Sequence, residues 1–384
     1  MSVPDLVGHT TDRGTLDPMT GVDSPFAHGL AHEFSLLGRE ITRRSPLYGA
    51  VCEGIAAAPD VIELLHAAPV AHRRPVQLLA ALHHRVLDDP HHPLRAHYPS
   101  TGGTPGHDVV EVALNTCRDD RTELQRIIAT RGVQTNEVGR APILMTSLRH
   151  LVGDDPIDLV DLGTSAGLTL LGDRYSSDLT DATGVSHVSW GNAQPTLVCG
   201  IRNEHAWNLE PAPTIVGRGG LDPDPIRMDD ADGLRWLDAC VWPDQHDRRA
   251  RLRAAITTAT LTPPELHTGR LPDDLATVAD LVHNTSRPAI TTSWALAYLT
   301  PEERRATLQT ITQIITERDA VAVMAESPEE CPDIPWPDTV RGSRRTEVIG
   351  GYRTSGRSVM WAHLGTAHPH GVWFHLASRH HSDA

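Results

Sequence analysis

The sequence predicts an α/β protein: a mostly parallel sheet finished by an antiparallel C-terminal hairpin, preceded by an all-helical N-terminal domain. Three observations carry this. Residues 157–162 are apolar at four of six positions, residues 163–167 form a glycine-spaced turn, and a fresh apolar run with Leu168, Leu170 and Leu171 follows at once. That order reads as buried strand, tight loop and helix start. Downstream, strand patterns alternate with helix patterns and then follow one another directly at the end. Upstream, residues 25–150 carry only helical periodicity.

Taken in order, residues 1–24 have little periodicity and are expected to be a mobile arm. Phe26, Leu30, Phe34 and Leu37 then recur three or four apart, as do Val61, Leu64 and Leu65, and Leu78, Leu79, Leu82, Val86 and Leu87. Prolines at 46, 59, 69, 90 and 93 break these helices. A helix over 141–151, capped by Thr135 or Asn136, leads into the strand at 157. Strands are expected over 196–201 and 214–217, the second running on to Asp222. A polar helix follows to about Thr257, then a strand-loop at 265–269 and a helix over 272–282. Strand 289–293, helix 301–317 and strand 320–326 come next. Two alternating segments, 343–352 and 358–364, and a turn before Val372-Trp373-Phe374 close the chain. The expected division is an arm (1–24), a helical cap domain (25–150), a sheet domain (151–378) and a tail (379–384).

Composition removes several functions. A formal charge of −15 argues against a nucleic-acid backbone as partner. No apolar run approaches the roughly 18 residues of a membrane span, and the N-terminus has no signal-peptide core, so the expected compartment is the cytoplasm. Five scattered cysteines without a C-x-x-C spacing suggest neither a disulfide framework nor a zinc knuckle. His83, His84, His91 and His92 are expected to be solvated surface, and no metal is expected. The sequence contains no lysine, so no Schiff base to pyridoxal phosphate and no P-loop lysine can form.

The turn is where ligand chemistry is expected. Small residues at 163, 165, 166 and 167 let a ligand lie against bare backbone, and the N–H groups of a helix start favour a negative group. Asp161 is placed to accept bonds from a cationic or hydroxyl-bearing ligand. The spacing Asp-x-Gly-x-Ser-x-Gly resembles the first motif of class I S-adenosylmethionine (SAM) methyltransferases, with Ser165 where a glycine is usual. The same five residues spell the nucleophile elbow G-x-S-x-G of α/β-hydrolases, although such enzymes lay down several strands before the elbow. An ordinary strand-to-helix turn is the third reading. Residues 130–140 add an unusual density of polar groups beside an apolar helix, as functional loops do.

With these stretches assembled, the chain resembles a bacterial family, domain of unknown function 2332, described as SAM-methyltransferase-like. Ser45-Pro46-Leu47-Tyr48, Gln134-Thr135-Asn136-Glu137-Val138-Gly139-Arg140, the turn 163–168 with Asp173-Arg174-Tyr175, Gly220-Leu221-Asp222, Val241-Trp242-Pro243-Asp244-Gln245 and Pro369-His370-Gly371 carry the likeness. The resemblance implies a helical domain capping a Rossmann-like SAM-binding sheet. Arg270 stands where an adenine-contacting Asp is common, and Asp222 lies far from the turn for a ribose acid, so Asp178 and Asp181 are its competitors.

The ligand-binding residues expected are Gln134, Thr135, Asn136, Arg140, Asp161, Gly163, Thr164, Ser165, Gly167, Leu168, Asp222 and Ser293. Glu137, Tyr298, Glu326 and His370 are the expected catalytic groups, with core packing as the alternative for Tyr298 and a turn role for His370. The leading function is methyl transfer from SAM to a small molecule. Alternatives are cyclisation of SAM to a small amino acid such as 1-aminocyclopropane-1-carboxylate with release of methylthioadenosine, a serine hydrolase using Ser165, and a SAM-sensing module. A homodimer is among the expected assemblies.

Overall fold

The computed structural model describes residues 25–281, 286–340, 347–355 and 358–378, so the expected arm, the tail and the starts or ends of two elements, at 343–346 and 282, lie outside the described residues. Helices α1 (Pro25–Ile41), α2 (Pro46–Ala56), α3 (Pro59–Ile62), α4 (Pro75–Asp88), α5 (Val109–Asp119) and α6 (Arg121–Thr130) come first, and no strand occurs among the described residues before Ile157. Pro46 at the first helical position and Ser45, whose hydroxyl accepts the Tyr48 N–H, start α2. These helices share one core, containing Leu64, Leu78, Leu82 and Ile127.

Then follow α7 (Ala141–Val152), β1 (Ile157–Leu162), β2 (Tyr175–Thr180), β3 (Ser186–Trp190), β4 (Ala193–Arg202), β5 (Ile215–Asp222), α8 (Ala231–Ala239), α9 (His246–Leu261), β6 (Glu265–Thr268) and α10 (Leu275–Leu281). The chain ends with β7 (Arg287–Ser293), α11 (Pro301–Arg318), β8 (Val321–Glu326), β9 (Glu347–Ser355), β10 (Ser358–Ala367) and β11 (Trp373–Leu376). The start of α11 is a full capping box: Thr300 and Glu303 satisfy each other's backbone N–H, with Pro301 between. Trp236 of α8 and the following Cys240 belong to the core of the N-terminal helices, which ties those helices to the sheet region.

Eleven strands form one mixed, mostly parallel sheet in the order β3-β2-β4-β11-β10-β9-β8-β7-β1-β5-β6. From β6 to β8 every pair is parallel, β8 to β11 is an antiparallel meander, and β11 returns parallel to β4. Alternate residues of the central strands face opposite layers. Ile157 and Leu159 of β1 and Val321 and Val323 of β8 meet Leu144 and Leu148 of α7. Val160 and Leu162 of β1 and Ala322 and Met324 of β8 meet α10 and α11 through Val278, Ile311 and Ile315. Burial on both faces explains why these strands read as near-continuous apolar runs.

Helix α7 touches β8 and β9 and also β2 and β4. β2 and β8 are five places apart in the sheet order, about 24 Å if the sheet were flat, whereas a helix is about 10 Å across. The sheet therefore curls around α7.

Several expectations are corrected. The apolar run after the glycine turn makes only a 3-10 turn, Leu168–Leu171, all four residues buried. With no polar face and Gly172 next, it is too short to nucleate an α-helix. The chain instead enters β2 and β3, which the sequence reading did not anticipate, nor did it anticipate α8. Neither Thr135 nor Asn136 caps α7; a 3-10 turn, Val138–Arg140, precedes it, and the Glu137 carboxylate accepts the Gly139 N–H at 3.1 Å. His83, His84 and His92 are buried, not solvated, bonded respectively to Ala239 O and Ser100, to Asp232, and to the Leu94 N–H. No helix among the described residues is long and apolar enough to cross a membrane.

Candidate functional site

A cavity of about 720 Å³ opens beyond the C-terminal ends of β1, β5, β6 and β7, within the range of small-molecule sites. Gly163 follows β1, Asp222 ends β5, Gly269 follows β6 and Ser293 ends β7, and all four line it. β1 has β5 on one side and β7 on the other, so the connections leave it in opposite directions and open a crevice there. The two turns beside that crevice touch. A Cβ on Gly163, whose φ is +70°, would lie 2.4 Å from the Ala295 Cβ.

The segment before α7 clasps the glycine turn. Asn136 donates to Thr164 O and accepts from the Leu168 N–H, both at 3.0 Å. Gln134 accepts the Ser165 hydroxyl and donates to Asp224 O at 3.0 Å. Ser165 sits at φ +54°, a conformation non-glycine residues seldom adopt. Its N–H is bound by the Asp222 carboxylate at 2.8 Å, and Gly163 and Thr164 give theirs to Leu221 O. The turn is therefore not the open cradle of N–H groups expected for an anion.

Asp222 lies at the wall, 7% exposed, its second oxygen accepting the Asp224 N–H at 2.9 Å. Burial pushes its carboxyl up from the ordinary range. A carboxylate has about four acceptor sites, so room remains for ligand hydroxyls. Its distance in sequence from the turn is filled by β2, β3 and β4, which run elsewhere in the sheet. Asp178 sits on β2, bonded to Ser186, and Asp181 holds the N–H groups of Thr183 and Val185 in the next turn. Neither lines the cavity.

Gln134, Thr135, Arg140, Ser165 and Ser293 line the cavity, as do Tyr298 and His370. Tyr298 is 60% exposed, which removes the core-packing alternative; Leu296 takes the core position. Arg140, though 4% exposed, reaches the wall and donates Nε to Pro369 O at 2.8 Å and Nη1 to Ser293 Oγ at 3.1 Å. His370 has Nδ1 3.3 Å from Glu137 Oε2, close to it but short of hydrogen-bond alignment. Burial lowers the His370 imidazole below its ordinary value despite Glu137, favouring the neutral ring.

The other expected residues stand behind the wall. Asp161 is tied to the hydroxyls of Thr169 and Thr291, each at 2.7 Å, burial raises its carboxyl, and it braces the strand without lining the cavity. Glu326 is fully buried and accepts the Ala295 and Leu296 N–H groups at 3.1 and 3.3 Å, an anchor for the loop after β7. Burial also raises it. Glu137 accepts from Arg248 Nε at 2.6 Å; burial would raise its carboxyl, but His370, Arg248 and Arg140 outweigh that and hold it below the usual range. Thr164 and Leu168 are buried, and Gly167 makes room for Pro264 and Leu266.

The sequence reading missed Trp294, Ala295, Asp224 and Glu347. Trp294 lines the cavity at φ +56°, its ring 5.9 Å from the Arg140 guanidinium carbon. Only its place after a strand signalled it.

The match to a family model covers residues 31–375, and the chain accordingly belongs to the family described as uncharacterized protein conserved in bacteria (DUF2332). No curated protein and no solved structure matches it.

Proposed function

We propose that this family member is a SAM-dependent enzyme, most simply a methyltransferase acting on a small molecule. The observation that carries this is Asp222, a half-satisfied carboxylate at the tip of the strand beside β1, facing a cavity that also takes in the glycine turn. The five parallel strands, numbered in chain order among themselves, lie 3-2-1-4-5, an order used by Rossmann-type nucleotide-binding sheets with the ligand at the switch point. In this reading Asp222 holds the ribose hydroxyls, and the sulfonium lies near the β1–β7 crevice. SAM brings its own leaving group, so alignment of a nucleophile with one S–C bond and exclusion of water do most of the work. His370 and Tyr298, on the same wall, are the groups to orient or deprotonate an acceptor.

The fold departs from the simplest class I plan. A three-strand excursion replaces the helix after β1, and the end is a meander. The excursion lies away from the cavity-lining tips, whereas the meander contributes Pro369 and His370, in the turn between β10 and β11, to the wall.

A second reading is favoured by Arg140 and His370 standing together, Arg140 bonding the carbonyl of Pro369. An α-carboxylate on Arg140 would bring the α-carbon of SAM toward His370. Removal of the α-proton, attack of that carbon on Cγ and departure of sulfur with the Cγ–S electron pair would give a three-membered ring and methylthioadenosine. The hydrolase reading has less support, because the Ser165 hydroxyl donates to Gln134 rather than to a histidine.

Incubating the purified protein with SAM and resolving the nucleosides by mass spectrometry tests these readings. Methylthioadenosine above a boiled control selects cyclisation, and intact but bound SAM calls for an acceptor. If neither wild type nor Asp222→Ala binds SAM by calorimetry, the proposal fails; binding by wild type with at least a roughly tenfold loss in the variant is expected.

A further inference from the structure

The wall of the cavity holds one buried cation whose counter-ion is poorly bonded. Arg140 uses Nε and Nη1 on Pro369 and Ser293, and its Nη2 has no hydrogen-bond partner among the described residues. Behind it, Glu347 at the start of β9 is completely buried, with Oε1 2.9 Å from Arg140 Nε. Neither carboxyl oxygen has an aligned hydrogen bond, and the Trp294 indole N–H is likewise buried without one. Glu326 and Glu137 are the other charged groups that bear on Glu347, and both are acids. A carboxylate sealed from water, supported only by the Arg140 guanidinium and the nearby Trp294 indole N–H, neither aligned for a hydrogen bond, and facing two further acids, is costly to keep ionised. Burial, the largest influence, pushes it up to about 8.

We propose that Arg140 and Glu347 form a carboxylate subsite of the cavity: the guanidinium takes the carboxylate of the ligand's amino-acid portion, and Glu347 behind it is held protonated by the bound anion. The inference rests on the SAM reading, which supplies a ligand with a sugar at one end and a carboxylate at the other. The two poles fit that layout. Asp222 ends β5, and Ser293, Arg140's partner, ends β7; β1 lies between, so the poles stand about 10 Å apart. Arginine is the cation suited to this task, because its planar fork meets a carboxylate with two parallel bonds and its charge does not titrate. Glu347 does titrate. A second anion on the same guanidinium makes ionised Glu347 a like charge at short range, and taking up a proton relieves it.

Calorimetry of the full chain with SAM at about pH 9, in two buffers of different ionisation enthalpy, reads the protons taken up on binding. The α-ammonium of SAM titrates in the same range, so wild type is compared with Glu347→Gln. Wild type is expected to take up about one proton more than the variant. Decarboxylated SAM, which keeps the nucleoside and sulfonium, is expected to bind wild type roughly tenfold or more weakly than SAM does. Equal proton uptake by the two proteins, or equal affinity of wild type for the two nucleosides, overturns the subsite and leaves the SAM reading standing. If Glu347→Gln does not fold, the two nucleosides on wild type decide alone. Failure of wild type to bind either nucleoside, checked by equilibrium dialysis, overturns both.

Discussion

Replacing Glu347 with glutamine sets two effects against each other, and magnitude decides between them. Were Glu347 an ordinary ionised partner of Arg140, breaking the pair would cost about 3–5 kcal/mol at any pH above the usual carboxylate range. Its surroundings argue otherwise, since burial moves the carboxyl from 4.5 to about 8. A carboxyl raised in the native state keeps a proton there that the unfolded chain has already lost. Between those two values the native protein binds more protons than the unfolded one, so wild-type stability declines as pH rises across that window. The slope is about 1.4 kcal/mol per pH unit and the total ~5 kcal/mol, an upper figure because Arg140 relaxes toward the charge as it forms. Glutamine holds no such proton. The variant is therefore expected to match wild type near pH 5 and to be more stable by a few kcal/mol at pH 8. Asp161, Asp222 and Glu326, which burial also raises, tilt both proteins alike and cancel in the difference to first order. Urea unfolding followed by tryptophan fluorescence from about pH 5 to about pH 8, with equal slopes against denaturant as the check on two-state behaviour, gives that difference directly. Two parallel curves with the variant about 3–5 kcal/mol below wild type throughout would refute the reasoning.

Two further predictions concern the turn. Gly163→Ala places a Cβ 2.4 Å from that of Ala295 at φ +70°, so a loss of ~2–3 kcal/mol is expected; an unchanged thermal midpoint would mean the two turns do not meet as described. Asn136→Ala removes one donor and one acceptor from the clasp and should lower stability by ~2 kcal/mol, with SAM affinity falling alongside. Asn136→Asp keeps the acceptor for the Leu168 N–H but presents an acceptor to Thr164 O; if it behaved like wild type in urea unfolding, the donor bond to Thr164 would carry no weight.

Much of the fold was legible because its signals are local. β1 and β8 announce themselves as apolar runs, β7 by its β-branched Ile290-Thr291-Thr292, and α11 carries its start in Thr300-Pro301-Glu302-Glu303. The failures have a common physical cause, namely that short apolar runs do not declare their period. Leu168–Leu171 has the composition of a helix start and the length of a single turn, and β2 alternates so weakly in hydrophobicity that Tyr175–Thr180 reads as loop. In the site, Gln134, Arg140 and Ser165 stood out because polar residues crowd a turn there. Asp161 and Glu326 stood out as carboxylates at the ends of apolar strands, but their charges serve neighbouring backbone and hydroxyl groups, a distinction only packing reveals. Glu347 gave no signal, since an acid in an alternating strand looks like a residue facing water.

The curl of the sheet around α7 bears on how the cavity meets its occupant. Arg140 is the residue from which that helix departs, and the helix is enclosed by strands drawn from both halves of the sheet order. A side chain rooted at the end of so confined a rod cannot shift without displacing many neighbours at once. Its orientation is settled when the chain folds, and little conformational freedom is left to lose on association. Recognition at this pole should therefore discriminate by shape and charge placement, admitting molecules that already fit and rejecting those that would require it to adapt.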